Sequence, residues 1–170
     1  MSSIQTRARR TTLLAVALVA VATVAGAQGM KMGKMEKMDK MEKMGKLTWG
    51  PGPGSLPAGA KLAVVSGDPG KPGPFTIQLA FPNGYKVPPH WHPSAEHIMV
   101  KQGTLLFGSG DKVDRKSMKP MKKGAEGDAP AKMNHYVMAR GRTVVEIQST
   151  GPFEITYVNA KDDPRGMMKK

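Results

Sequence analysis

Three of the four histidines in this chain fall inside one short stretch, "GYKVPPHWHPSAEHIMVKQG", residues 84–103. His90 and His92 are two apart, and in an extended strand that spacing sends both imidazoles to one face. Glu96 keeps the same parity, as do Ile98 and Val100. One face would then carry His, His and Glu followed by apolar residues, a ligand set at the end of a packed interior. Imidazole and carboxylate together suit a divalent transition metal: Mn, Fe, Ni, Cu or Zn. Pro88, Pro89 and Pro93 stiffen the approach and preorganise the ligands. His97 has the opposite parity and should point away from the set, toward the surface.

The fourth histidine, His135, lies far downstream. Taken alone it would be ordinary packing, and Glu96 taken alone would be a solvated acid. It is their joint spacing that carries weight. Gly84, five residues, His90, one, His92, three, Glu96, six, Gly103 resembles the first motif of the cupin superfamily. Gly124, five residues, Pro130, one, Lys132, two, His135 is similar to the second motif. Lys132 stands where that motif has Gly, and Ala139 where it has Asn; neither is a ligand position. The resemblance covers residues 47–163, and its nearest form is the small exported bacterial cupin of one domain. It implies an all-β fold, a double-stranded β-helix or jelly-roll barrel. It implies that His90, His92, Glu96 and His135 hold a divalent transition metal, with one or two positions left for water or substrate. It also implies a homodimer.

Other side chains offer less. Tyr85 and Tyr136 carry phenols that a substrate could meet, but Tyr136, like Trp91, has the wrong parity for the pocket. Phe75, Phe81, Phe107, Phe153 and Tyr157 read as core, and Met133 and Val137 share the inward parity of His135. Lys112, Arg115, Lys116, Lys119, Lys122 and Lys123 read as a solvated face, with an anion-attracting patch as the rival reading.

The elements that must position these residues are short. "KLAVVSG", "FTIQLAF", "EHIMVKQG", "TLLFGSG", "TVVEIQS" and "FEITYVN" are β-like runs separated by Gly, Pro, Asn and Asp. Their regular spacing predicts a sandwich or barrel and not alternating βα units. Between the two motifs, residues 114–124, "DRKSMKPMKKG", predict a short helix stopped near Pro120. "WGPGPGSLPAG" can be neither a central helix nor a central strand. The end, "DDPRGMMKK", with residues 164–170 as a tail, reads as frayed.

The N-terminus predicts export. Arg7, Arg9 and Arg10 precede a short apolar run, residues 13–25, and Ala25-Gly26-Ala27 has the small-x-small form of a cleavage site before Gln28. The run is shorter than the roughly 20 residues a membrane span needs, which disfavours an anchor. "ARRTTLL" resembles a twin-arginine signal except at Thr12, where a large apolar residue is usual. Residues 28–46 form a Met/Lys-rich segment with Met at 32, 35, 38, 41 and 44. A period of three winds Met around a helix and gives no single stripe, so the segment reads as a solvated linker. Its rival reading is a soft-metal tract, since thioether sulfur suits Cu(I).

Of the net charge of +13, the leader arginines and the Met/Lys segment hold nearly half, leaving the domain only moderately basic. Export makes nucleic acid a poor partner and leaves the membrane a role only through the signal peptide. With no cysteine, the fold has no disulfide to lean on. The destination is periplasmic or secreted. Two functions compete. The first is an enzyme acting on a small organic molecule through dioxygen chemistry, isomerisation or hydrolysis, with Glu96 free to leave the metal and serve as base. The second is a non-catalytic metal- or ligand-binding envelope protein that handles copper. A purely structural barrel is the bland third.

Overall fold

The structure is a computed structural model that describes residues 47–167. The leader and the whole Met/Lys segment, residues 28–46, lie outside the described residues. Just over half of the described chain is strand: β1 Gly50–Pro51, β2 Lys61–Ser66, β3 Gly73–Phe81, β4 Lys86–Trp91, β5 Glu96–Ser109, β6 Lys119–Lys122, β7 Glu126–Ala129, β8 His135–Gly151 and β9 Thr156–Tyr157. Every pairing is antiparallel.

The two long strands, β5 and β8, each serve two sheets. The first half of β5 lies between β7 and the second half of β8, which continues to β3, β2 and β1. The second half of β5 lies between β6 and the first half of β8, which continues to β4 and β9. The result is two curled sheets joined through shared strands, with one apolar interior between them.

Alternation explains which residues fill it. Phe75, Ile77, Leu79 and Phe81 of β3 face inward, opposite Val145 and Ile147 of β8 and Ile98 and Val100 of β5. In β5 the inward set changes from even to odd numbers, Val100 to Leu105, because the register shifts at Gln102. A bulge of this kind turns the strand from one sheet into the other. Gly103 sits at that corner with φ 77°, and a Cβ there would collide with the Arg142 carbonyl. The two paired strands bend together at this point, with backbone close against backbone.

Two sequence expectations need correction. No helix stands between the motifs. Residues 115–117 form a turn in which Asp114 accepts a 2.9 Å bond from the Lys116 amide and its carbonyl accepts one of 3.0 Å from Ser117. The chain then enters β6, an edge strand on β5, where the missing N–H of Pro120 is tolerated. The short turn bonds formed by Asp and Ser outcompete helix formation here. The chain end is also tied down as far as Met167. A 3-10 turn, Ala160–Asp162, leads into one helical turn, α1, Pro164–Met167. Arg165 donates to the Ile155 carbonyl at 3.0 Å and pairs with Asp163 at 2.7 Å.

Candidate metal site

The site lies at one end of the interior. His90 is on β4, where Pro88 and Pro89 offer no N–H and the register slips between Val87 and His90. His135 opens β8 and is the register partner of His90. His92 follows β4 in a turn, and Glu96 opens β5. The four side chains are 4, 6, 3 and 3% exposed for His90, His92, Glu96 and His135.

Glu96 therefore does not share a strand with the histidines, as the parity argument assumed. The chain turns at Pro93-Ser94 and crosses to the other sheet. The inward direction of all four residues holds, but by the meeting of three separate segments.

Each histidine has one ring nitrogen fixed. Nδ1 of His90 donates to the Pro88 carbonyl at 2.6 Å, that of His92 to the Glu154 carbonyl at 2.6 Å, and that of His135 to the Met133 carbonyl at 2.9 Å. A carbonyl can only accept, so each neutral ring carries its proton on Nδ1 and leaves Nε2 with a free lone pair. Ring planes are held as well: His92 stacks on Phe153 at 4.8 Å and His135 on Phe107 at 5.4 Å. The ligand-capable nitrogens of the three rings lie within 4.8 Å of one another. Glu96 Oε2 is 3.4 Å from Nε2 of both His92 and His135.

Electrostatics keep the lone pairs available. Burial, then the neighbouring His135 and His92, push His90 down to about 2. Burial also lowers His92. Both are neutral at physiological pH, the state in which imidazole ligates a metal. Two ligands about 2.0–2.1 Å from one tetrahedral ion lie roughly 3.3 Å apart, so the Glu96 distances of 3.4 Å fit a shared ion.

Beyond these groups the cavity, about 40 Å³, is lined by aliphatic and phenylalanine side chains together with Ser55. Ser55 and Leu56 come from the Pro/Gly-rich segment, which sequence reasoning gave no part in the site. Nothing in a stretch without periodicity says where it will lie.

The remaining candidates fall outside the pocket. His97 is on the opposite face, its Nδ1 2.7 Å from Asp128 and its Nε2 3.5 Å from Glu126. The Asp128 hydrogen bond raises its pKa. Tyr136 is 1% exposed, and its hydroxyl accepts from the Asp114 amide at 2.9 Å, outside the cavity. Tyr85 donates its hydroxyl to the Pro57 carbonyl at 2.5 Å.

No protein-family model and no curated protein sequence matches the chain. Solved structures do. A proposed acetylacetone dioxygenase from Methylibium petroleiphilum is similar at TM-score 0.56 and 18% identity, over 71% of this chain and 81% of the other. The polyketide cyclase RemF from Streptomyces resistomycificus follows at 0.51 and 15%, over 65% and 79%. A cupin 2 domain-containing protein from Halorhodospira halophila stands at 0.50 and 16%, over 66% and 83%. The fold is that of the cupins. The chain departs from the second cupin motif at a telling place: Lys132, at the motif's Gly position, has φ 62°. The backbone keeps the turn that Gly would allow, and the Lys132 amide still donates to the His92 carbonyl at 2.8 Å.

Proposed function

We propose that this cupin binds one divalent transition metal through His90, His92, Glu96 and His135 and acts as an enzyme on a small organic molecule. The observation that carries this is the commitment of all three Nδ1 atoms to backbone carbonyls, which turns three free Nε2 lone pairs and a carboxylate toward one buried point. When bound, the metal supplies a Lewis acid that polarises a substrate oxygen. The chain's own residues do the rest. The stacked rings hold the geometry, the apolar walls exclude water, and Glu96, the only acid among the described residues that line the cavity, is placed to take or return a substrate proton. The likeness to a proposed dioxygenase and to a polyketide cyclase supports the enzyme reading over a bare binding module.

The rival function is a non-catalytic, copper-handling envelope protein, which the Met-rich segment favours. Under either reading we propose export: cleavage after Ala27 would place the protein in the periplasm or outside the cell.

Elemental analysis of protein taken from its native compartment, followed by oxygen-uptake assays against phenols and diketones, tests both. Near one equivalent of metal with turnover supports the enzyme. One equivalent without turnover of any substrate favours the binding protein. Protein that is metal-free and takes up none on addition sinks both.

A further inference from the structure

We propose that residues 52–60 form a fixed strap over the metal cavity, that Leu56 is the gate deciding which molecules enter, and that those admitted are small oxygen chelators with an apolar body. This rests on the metal reading above.

The strap is a built element. Its ends close through the Gly52 amide, which donates to the Ala60 carbonyl at 2.8 Å, and its middle turns where the Leu56 amide donates to the Pro53 carbonyl at 2.9 Å. Two phenols then pin it from below. Tyr157 of β9 donates to the Ser55 carbonyl at 2.7 Å, and Tyr85, just before β4, donates to the Pro57 carbonyl at 2.5 Å. These carbonyls belong to the residues on either side of Leu56. Tyr85 is itself held by stacking on Phe81, a cavity wall, at 4.8 Å. Burial raises both phenols well above their ordinary pKa, so both stay protonated donors.

Leu56 is also a wall with two sides. It lines the metal cavity, and it lines an outer groove formed with Pro53, Pro57, Lys86 and Pro88. Leu56 therefore stands where the two spaces adjoin. Tyr85 and Tyr157 touch neither metal nor ligand in this scheme; they are positioning residues.

The lining sets the chemistry. Among the described residues no Lys, Arg, Asn or Gln lines the cavity, and Ser55 is the only polar one outside the ligand set. A dicarboxylate bound there would carry a second charge with nothing to neutralise it, and an unpaired buried charge is costly. A bidentate oxygen donor with one delocalised charge and an apolar remainder meets the metal and the walls together. The enolate of a 1,3-diketone is of this class.

The test loads the intact protein with Co(II) and follows its visible spectrum during titration with acetylacetone, dibenzoylmethane and oxalate, each normalised to its affinity for aqueous Co(II). The wild type should favour acetylacetone over each of the others by at least about tenfold, the low end of what steric and apolar discrimination supplies. Leu56→Ala should erase the penalty on dibenzoylmethane and leave that on oxalate, with Co(II) affinity unchanged. Leu56→Trp should weaken acetylacetone itself. Tyr85→Phe combined with Tyr157→Phe, each conservative in shape, should reproduce Leu56→Ala. A size ratio unmoved by Leu56→Ala, with Co(II) still bound, overturns the gate. A normalised preference for oxalate overturns the ligand class. A wild type that takes up no Co(II) overturns the metal reading and the gate with it.

Discussion

Glu96 Oε2 lies 3.4 Å from Nε2 of His135, although the two residues open different strands in different sheets. The pair joins the sheets at the mouth of the interior, and both partners are 3% exposed. Buried groups of this kind need partners. The metal ion proposed above would serve both, and the carbonyl bonds behind the imidazoles would aim them at it.

Replacing His90, His92 or His135 with Ala should each remove one metal bond and lower affinity by well over the 10- to 100-fold that outer-shell changes cost. Glu96→Gln should weaken the metal less, since the amide oxygen remains a ligand without the charge. His97→Ala should keep full occupancy at saturating metal, because its ring faces solvent beside Asp128. Inductively coupled plasma measurement after dialysis against known free metal separates these cases. If His97→Ala empties the site while His135→Ala leaves it full, the assignment fails.

Lys132 holds φ 62°, a backbone conformation that costs a residue with a Cβ about 1–2 kcal/mol relative to the right-handed region. Glycine relieves that cost but adds unfolded-state freedom of about 0.5–1 kcal/mol. Lys132→Gly should therefore stabilise by up to about 1 kcal/mol, raising Tm by a few degrees for a domain of this size. Thermal unfolding of the metal-free pair measures it, and a drop in Tm would show that the lysine side chain contributes something the backbone does not reveal.

Gly103→Ala should be far more damaging. Its φ is 77°, and the new methyl would meet the Arg142 carbonyl and the Thr143 Cα where the paired strands β5 and β8 bend. Forced backbone shifts cost about 1–3 kcal/mol in packing alone, and the positive φ adds to that. Chemical denaturation should report a loss of roughly 2–4 kcal/mol on that basis. A loss below about 0.5 kcal/mol, the size of an ordinary surface change, would mean the corner yields freely.

Acid should weaken the metal-free protein through His90. Its pKa is about 2 when folded and near 6.5 when exposed, so between these values unfolding takes up a proton. The stability this neutral ring contributes is complete above about 6.5 and is lost progressively as pH falls toward 2. His92 is shifted in the same direction and adds to the slope. Tm of EDTA-treated protein should fall steadily from neutral pH downward, and more gently in His90→Gln. Equal slopes in the two proteins would show that other groups drive the loss.

The sequence nominated a metal chemistry and most of the strands. His90, His92, Glu96 and His135 were nominated by type and by a spacing that resembles the two cupin motifs, and the structure gathers them at one buried place. Runs such as "FTIQLAF" became strands because an alternating pattern can bury only one face of an extended chain. The inward set Phe75, Ile77, Leu79 and Phe81 follows from that alone. The tertiary structure decided the rest. It put a turn and a sheet crossing between His92 and Glu96, so a parity argument drawn on one strand reached the right face by the wrong path. It made β6 of a segment with helical composition, because a pairing partner on β5 lies too far along the chain for local preference to register it. It laid the Pro/Gly-rich strap over the cavity and set Leu56 in its wall, through bonds from Tyr85 and Tyr157 that join residues 28 and 102 positions apart. Contacts at such separation leave no periodic trace in the chain, since they depend on where folding brings the two ends of each bond.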